Sequence, residues 1–393
     1  AEVAATEAAG DLDVVSSYDD DTTTLSLTVP KSQIGDGLAL FEDVLLRPAF
    51  PDRELKRWVR DTKDELTAYA PTNLRSVYSY AWTHAWAAAG SPDDRRPDLN
   101  ALASVRRTDL LALHQTLLDE APVHAWITGD LTEAEAREAF TGAGWWSKIG
   151  VEGAPEAPAS RTHLAANAVI AVDLPTATQA IVGVVLEAPS RTDADRAAFA
   201  HASYALVGPF LSRLNRNLRE DKGWTYGVGG SYQPGRADGT WSARGTYTAS
   251  NVTGVLREMQ AELHALAAGG PTADEIDANV REQVTSYNDA MLDAGSAMAW
   301  YAAGVPFDET IADAAKRVEA LSAVTPAQAS DVAARWFADD APRLILVVGR
   351  RTDVEPQLTA AGLTATWITA ADAVLGRFDA VTVEQPIASP SAP

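Results

Sequence analysis

Arg219 and Tyr226 stand seven positions apart in the stretch RLNRNLREDKGWTYGVGG, residues 213–230. Arginine is an always-charged planar donor that can hold a carbonyl or a carboxylate. A tyrosine hydroxyl can donate to the oxyanion that forms on a carbonyl under attack, where one well-placed donor is worth roughly 3–4 kcal/mol. Together they suit the binding and polarisation of a peptide carbonyl. The same spacing also fits a purely structural arrangement, with Arg219 paired to Glu220 or Asp221 and Tyr226 packed in the core.

Two elements must position the pair. The segment FLSRLNRNLREDK reads as a helix that stops at Gly223, since glycine tolerates the left-handed backbone after a last turn and Lys222 suits its carbonyl end. After it, WTYGVGGSY alternates as a strand, with Trp224, Tyr226 and Val228 on one face. A tight turn would then bring guanidinium and phenol to one edge of a sheet. The glycine-rich GVGGS (227–231) runs into a strand rather than a helix N-terminus, so it is no phosphate loop. Gly229 and Gly230 instead let a substrate strand approach the backbone.

These elements lie in the second of two similar portions. Residues 101–130 and 320–350 each read as an amphipathic helix, a D-[DE]-A-P turn and an apolar strand ending in glycine. Residues 24–45 and 240–263 each read as a strand followed by a helix. The apolar positions are Ile34, Leu38, Phe41 and Leu45 in one, and Val252, Val255, Leu256 and Met259 in the other. Residues 51–66 and 271–287 are both helices opened by proline. An internal repeat offset by roughly 220 residues accounts for all three matches.

The expected fold class is α+β, two homologous domains with a mainly antiparallel sheet backed by helices on one side. The domains are 1–149 and 164–375, joined by a Pro/Gly/Ala-rich linker at 150–163 and followed by a tail at 376–393. The second copy opens with two strands, 168–174 and 179–186, and helical segments starting near Asp193 and Pro209. The first copy has no counterpart of these, so about fifty residues of the repeating unit are missing from it. A sheet short of two strands leaves backbone groups unpaired, and the expectation is that a partner chain or an upstream segment covers that edge.

The bulk composition narrows the function. Apolar residues make up 46% and charged ones 22% of 393 residues, which describes a globular chain large enough for about two domains. A net charge of −22 argues against nucleic acid or an anionic membrane as partner. Cysteine is absent, which removes disulfides, thiolate metal sites and a cysteine nucleophile. No apolar run approaches a membrane span and no signal peptide is evident. A cytoplasmic location is expected, with secretion after signal removal as the alternative.

The stretch SRLNRNLREDKGWTYGVGGSY, followed by the strand GTWSARGTYT, resembles the second domain of the pitrilysin/insulinase family of zinc metallopeptidases. More narrowly, it is similar to bacterial relatives of the mitochondrial processing peptidase. The resemblance runs from about residue 8 to residue 370 and includes VLLRPAFPDREL and LILVVGR. It implies a chamber built from four homologous domains. One half carries an inverted zinc motif, H-x-x-E-H, with a distant Glu as third ligand. The other half supplies an Arg and a Tyr at this spacing, which here are Arg219 and Tyr226.

No metal ligand is expected on this chain. His84, His114, His124, His163, His201 and His264 are scattered, and none forms H-x-x-E-H. Glu65 falls near the third-ligand position, but Trp58 stands where a catalytic member carries another Glu, so Glu65 reads as a chance match unless an upstream segment bore the motif. Zinc is expected on a homologous partner chain carrying H-x-x-E-H. The chain then reads as the substrate-binding, non-zinc subunit of a heterodimeric zinc metalloendopeptidase, with peptides as substrates. The alternative is a catalytically inactive structural or peptide-binding subunit of the same fold. The NVT sequon at 251–253 is explained by helix capping.

Overall fold

A computed structural model of the chain describes residues 13–18, 22–86, 96–142, 167–236, 238–304, 307 and 309–378. The linker 150–163, His163 and most of the tail, expected above, lie outside the described residues. The chain divides into two compact units. One comprises residues 1–60, 103–156 and 287–314; the other comprises 61–102, 157–286 and 315–393. Residues 61–102, from the first half of the sequence, therefore cluster with the second half.

The second unit is organised by a six-stranded sheet. Its strands are β3 (Ala168–Asp173), β4 (Ala180–Ala188), β5 (Val228–Pro234), β6 (Gly239–Tyr247), β7 (Arg343–Gly349) and β8 (Thr366–Thr369). The order is β5-β6-β4-β7-β3-β8, antiparallel from β5 to β7 and parallel from β7 to β8. Both β4 and β7 are central and buried on both faces, so their sequences read as continuous apolar runs rather than alternation.

Successive strand residues feed two cores. Val182, Val184, Ile345 and Val347 face helices Arg196–Val207, Val252–Gly269 and Pro326–Trp336, with Phe199, Leu206, Met259 and Phe337. Ile181, Val185, Leu346 and Val348 face the opposite way, against Val77, Tyr78 and Ala81 of helix Leu74–Trp86 and Val374 of helix Ala370–Val374. Helices thus cover both faces, where the sequence reading puts them on one side. The second layer needs a groove in the sheet: a Cβ at Gly183 of β4 would lie 1.9 Å from the Tyr78 hydroxyl. Buried with little compensation, the Tyr78 phenol is pushed well above the ordinary tyrosine range, with a small downward pull from Arg244.

The first unit is built differently. Strands β1 (Asp13–Tyr18) and β2 (Thr23–Thr28) form a two-stranded antiparallel sheet. Helix Ile34–Leu46 follows, and its Gly37 packs against Val29 and Leu27, where a Cβ would meet Val29 Cγ2 at 3.0 Å. Its further helices include most of Asp52–Asp64 and all of Arg107–Glu120, Glu133–Gly142 and Ala294–Ala302. Polar ties within the unit include Arg107 Nε donating to Ala49 O at 3.0 Å and Lys31 pairing with Glu135 at 3.3 Å. Among its described residues Ala314 is the only buried apolar side chain.

Three sequence expectations need correction. Residues 123–128, expected as an apolar strand, are irregular, and no described strand pairs with them. The strand expected from Trp224 begins at Val228. Asn251 occupies the N-cap of helix Val252–Gly269 but makes no side-chain cap bond, so capping does not explain the NVT sequence.

Candidate functional site: the Arg219–Tyr226 turn

The helix that carries Arg219 begins at Arg213–Asn215 and continues through Arg216–Asp221 as a widened π-type turn. Leu214 and Leu218 point into the core and are 1% and 0% exposed. On its flank a row of polar contacts fastens it to the neighbouring helices. Arg213 grips Glu275 with both nitrogens, at 2.8 and 2.7 Å, and also donates to Gly270 O. Asn217 donates to Glu258 and Glu262 at 2.9 and 2.7 Å, and Lys222 pairs with Glu258 at 3.2 Å. Burial raises the Glu275 carboxyl, but bonds from Arg213 and Thr272 outweigh it and hold the pKa below the usual range.

Gly223 ends the helix as the sequence requires. Its φ is 63°, in the left-handed region, and Trp224 N reaches back to Leu218 O at 2.9 Å while Gly223 N bonds Arg219 O at 3.1 Å. Each bond reaches one residue further back than in a Schellman termination, as the widened turn before it dictates. The ring of Trp224 then folds down on helix Val252–Gly269, filling the space above Gly254, where a Cβ would lie 2.6 Å from it.

The chain is pinned again four residues later. Buried Asn215 bonds both backbone polar groups of Val228: its Oδ1 accepts from Val228 N at 2.8 Å and its Nδ2 donates to Val228 O at 3.0 Å. The side-chain amide takes the part of a neighbouring strand. Between the two pins, Thr225 Oγ1 accepts from Gly227 N at 3.1 Å. Tyr226 therefore rides on a short, fixed loop, and its side chain is 97% exposed. It does not share a face with Trp224 and Val228, because the alternation expected there starts only at Val228. Neither does it pack in the core.

Arg219 lies across the turn from Tyr226. Its guanidinium carbon sits 3.6 Å from the centroid of the Phe210 ring. Its Nη1 is 3.1 Å from Glu220 Oε1 but makes no hydrogen bond among the described residues. The structural alternative is thus met for Arg219, which forms an ion pair with Glu220, and not met for Tyr226.

Gly229 and Gly230 lie on β5, which among the described residues is an edge of the sheet, paired with β6 alone. A Cβ at Gly229 would meet nothing within 4 Å, whereas one at Gly230 would lie 2.4 Å from Ser242 O and 2.8 Å from Val207. Gly230 is needed for packing, and Gly229 leaves the edge open. The strand itself is held by Tyr232, whose hydroxyl donates to Pro189 O at 2.8 Å and whose ring lies 4.6 Å from Phe199.

His84, His114, His201 and His264 are engaged in other contacts. His84 Nδ1 meets Ala373 O at 2.9 Å, and His264 Nδ1 meets Asp339 at 2.7 Å. His201 is fully buried, with Nε2 donating to Leu321 O and Nδ1 accepting from Asn279. His114 packs edge-on to Phe50. Glu65 is exposed, at the start of a second widened turn, Glu65–Tyr69. Among the described residues no group of three His, Cys, Asp or Glu could hold a metal ion, and no helix is long and apolar enough to cross a membrane.

Sequence reasoning missed Asn215, Glu258, Glu262 and Phe210, which hold the pair in place. For Asn215 and Phe210 a signal existed: a polar residue between the two core leucines Leu214 and Leu218, and an aromatic residue in a Gly-Pro turn.

Comparison with known proteins bears on the fold that carries this turn. Residues 104–283 match the family model of the peptidase M16 inactive domain. No curated protein matches the sequence significantly. A solved peptidase M16 inactive domain from Pseudomonas fluorescens is similar at TM-score 0.76 and 20% identity, over 88% of this chain and 83% of that one. A protease from Helicobacter pylori is similar at TM-score 0.71 and 14% identity, over 88% and 84%. The periplasmic protease PqqL from Escherichia coli is similar at TM-score 0.70 and 15% identity, over 88% of this chain and 38% of that chain. The chain therefore has the α+β fold of the peptidase M16 inactive domain proteins and carries, over residues 104–283, a match to that family's sequence model.

Proposed function

We propose that this chain is the substrate-binding, non-zinc subunit of a two-chain zinc metalloendopeptidase, related to the bacterial processing peptidases. In this reading the metal and the base that activates water belong to a homologous partner carrying H-x-x-E-H. This chain contributes recognition. An extended peptide adds as a strand along the open edge of β5 at Gly229 and Gly230. Arg219 holds its backbone or a carboxylate, and the Tyr226 hydroxyl donates to the oxygen of the carbonyl under attack. The acidic net charge favours peptides with basic residues.

One observation carries the reading: a fully exposed tyrosine on a loop pinned at Gly223 and at Val228, beside an arginine and an open strand edge. Leaving a large aromatic side chain in water on a rigid loop gains the fold nothing, whereas a preorganised donor is what oxyanion stabilisation requires. The match to an inactive peptidase domain supports a chain that is not itself catalytic. The half-buried apolar stripe of helix Ile34–Leu46 in the first unit supports a covering partner.

The proximity of Arg219 to Glu220 favours a second reading, an inactive peptide-binding or structural subunit in which the arginine only closes a helix. Tyr226→Phe separates the two. In the assembled complex it should lower turnover by about 10–100-fold while assembly is unchanged. Unchanged turnover would remove Tyr226 from the mechanism.

A further inference from the structure

The turn that precedes the Arg219 helix exposes two large apolar side chains in succession. Helix Arg196–Val207 ends at Gly208, where a Cβ would lie 2.5 Å from the Tyr204 ring, so the chain must leave over a small residue. It reverses through Pro209, with Ser212 N bonding Pro209 O at 3.0 Å. Phe210 and Leu211 are left 63% and 57% exposed at the tip. Neither belongs to either core of the unit.

Phe210 is not idle there. Its ring lies under the Arg219 guanidinium at 3.6 Å, the separation of a full stacking contact. A guanidinium lying on a ring keeps its in-plane N–H donors free for a carbonyl or carboxylate, because the ring occupies only one face. Arg219 has a close acidic neighbour in Glu220, yet Nη1 forms no hydrogen bond with it. Nη1 is itself shielded from solvent, so the remaining guanidinium nitrogens are the ones a peptide would meet, and the Phe210 ring backs one face of the group.

We infer that the Phe210–Leu211 turn is the specificity element of this site: Phe210 positions Arg219, and the two exposed side chains receive a bulky apolar residue of an extended peptide. This rests on the reading of Arg219 as a peptide-binding group. A peptide held by its backbone at Arg219 must place a neighbouring side chain on the surface beside the guanidinium, and that surface is apolar. Basic residues elsewhere in the peptide would answer the acidic net charge, while this one position would select Leu, Met or Phe over Asp or Ser.

The test is binding of labelled synthetic peptides to the full chain, read by fluorescence anisotropy. The peptides are basic twelve-residue sequences, identical except that Leu, Ser or Asp is scanned through the central positions. The wild-type chain should prefer Leu over Asp at one position by about tenfold or more. Phe210→Ala should reduce that preference to within about threefold, and Phe210→Trp should keep it, since indole also stacks on arginine. Arg219→Ala should weaken every peptide by a similar factor. An unchanged preference in Phe210→Ala, with Arg219→Ala still weakening binding, overturns the inference and leaves the Arg219 reading standing. If Arg219→Ala leaves all peptides unaffected, or the wild-type chain binds none of them, the site reading fails and the inference with it. Both Phe210 variants should retain the wild-type unfolding temperature, because the ring is exposed.

Discussion

Residues 119–129 and 339–349 share one pattern, a D-[DE]-A-P turn and an apolar run ending in glycine, yet only the second forms a strand. β7 lies between β4 and β3, pairs with both, and buries every residue. Its counterpart at 123–128 has no strand neighbour among the described residues and leaves Ile127 44% exposed. The helices repeat the contrast. Val252, Val255, Leu256 and Met259 are at most 1% exposed, whereas Ile34, Leu38, Phe41 and Leu45 are half-buried. An apolar pattern states what a segment can bury; whether it is buried depends on the elements beside it. The second portion has β3, β4 and helix Arg196–Val207 for that purpose.

The largest expected difference lies in the core. Leu346→Ala in β7 should cost about 2–5 kcal/mol, because the side chain is fully enclosed. Ile127→Ala should cost under about 1 kcal/mol. Urea unfolding with hydrogen exchange followed separately in each unit would measure both, and equal costs would break the comparison.

Glycines give a smaller contrast. Gly183→Ala drives a methyl into the Tyr78 hydroxyl 1.9 Å away and should destabilise the second unit by about 1–3 kcal/mol. Gly35→Ala, in helix Ile34–Leu46, meets nothing within 4 Å and should stabilise by up to about 1 kcal/mol through helix propensity. A neutral Gly183→Ala would mean that helix Leu74–Trp86 is not seated on the sheet as described.

The smallest effect is one of pH. Burial holds the His201 imidazole below the ordinary histidine range, only partly offset by its bond to Leu321 O. At neutral pH the native and unfolded states are both uncharged there. As pH falls through the unfolded value of about 6.5, the unfolded chain binds a proton that the native state refuses, so stability declines. His201→Gln should flatten this decline in the second unit and leave exchange in the first unit unaltered. The carboxylates of Asp195 and Glu275, both held low, contribute in a separate window: their stabilisation is present above the unfolded carboxylate range and is lost in stronger acid.

Much of the second unit is legible in the sequence because its signals are strong and local. The uninterrupted apolar runs of β3, β4 and β7 announce buried strands, Gly223 announces the helix end, and the stripe from Val252 to Met259 announces its buried face. The first unit is less legible: residues 123–128 carry the signals of β7, yet no described strand pairs with them. At the site, the positions of Arg219 and Tyr226 on either side of a glycine turn are readable. The loop between Gly223 and Val228 is not, because it is fixed by Asn215, thirteen residues from the Val228 backbone it clamps. Coverage of the sheet's second face by Val77, Tyr78 and Ala81 is also invisible locally, since it is a contact between distant parts of the chain.

Native mass spectrometry of the protein purified from its own source tests the proposed function most directly. A second, homologous chain of different mass with one zinc per pair is the expected result. A zinc-free species containing this chain alone would contradict it, and Arg219 and Tyr226 would then be a helix end and an exposed loop residue.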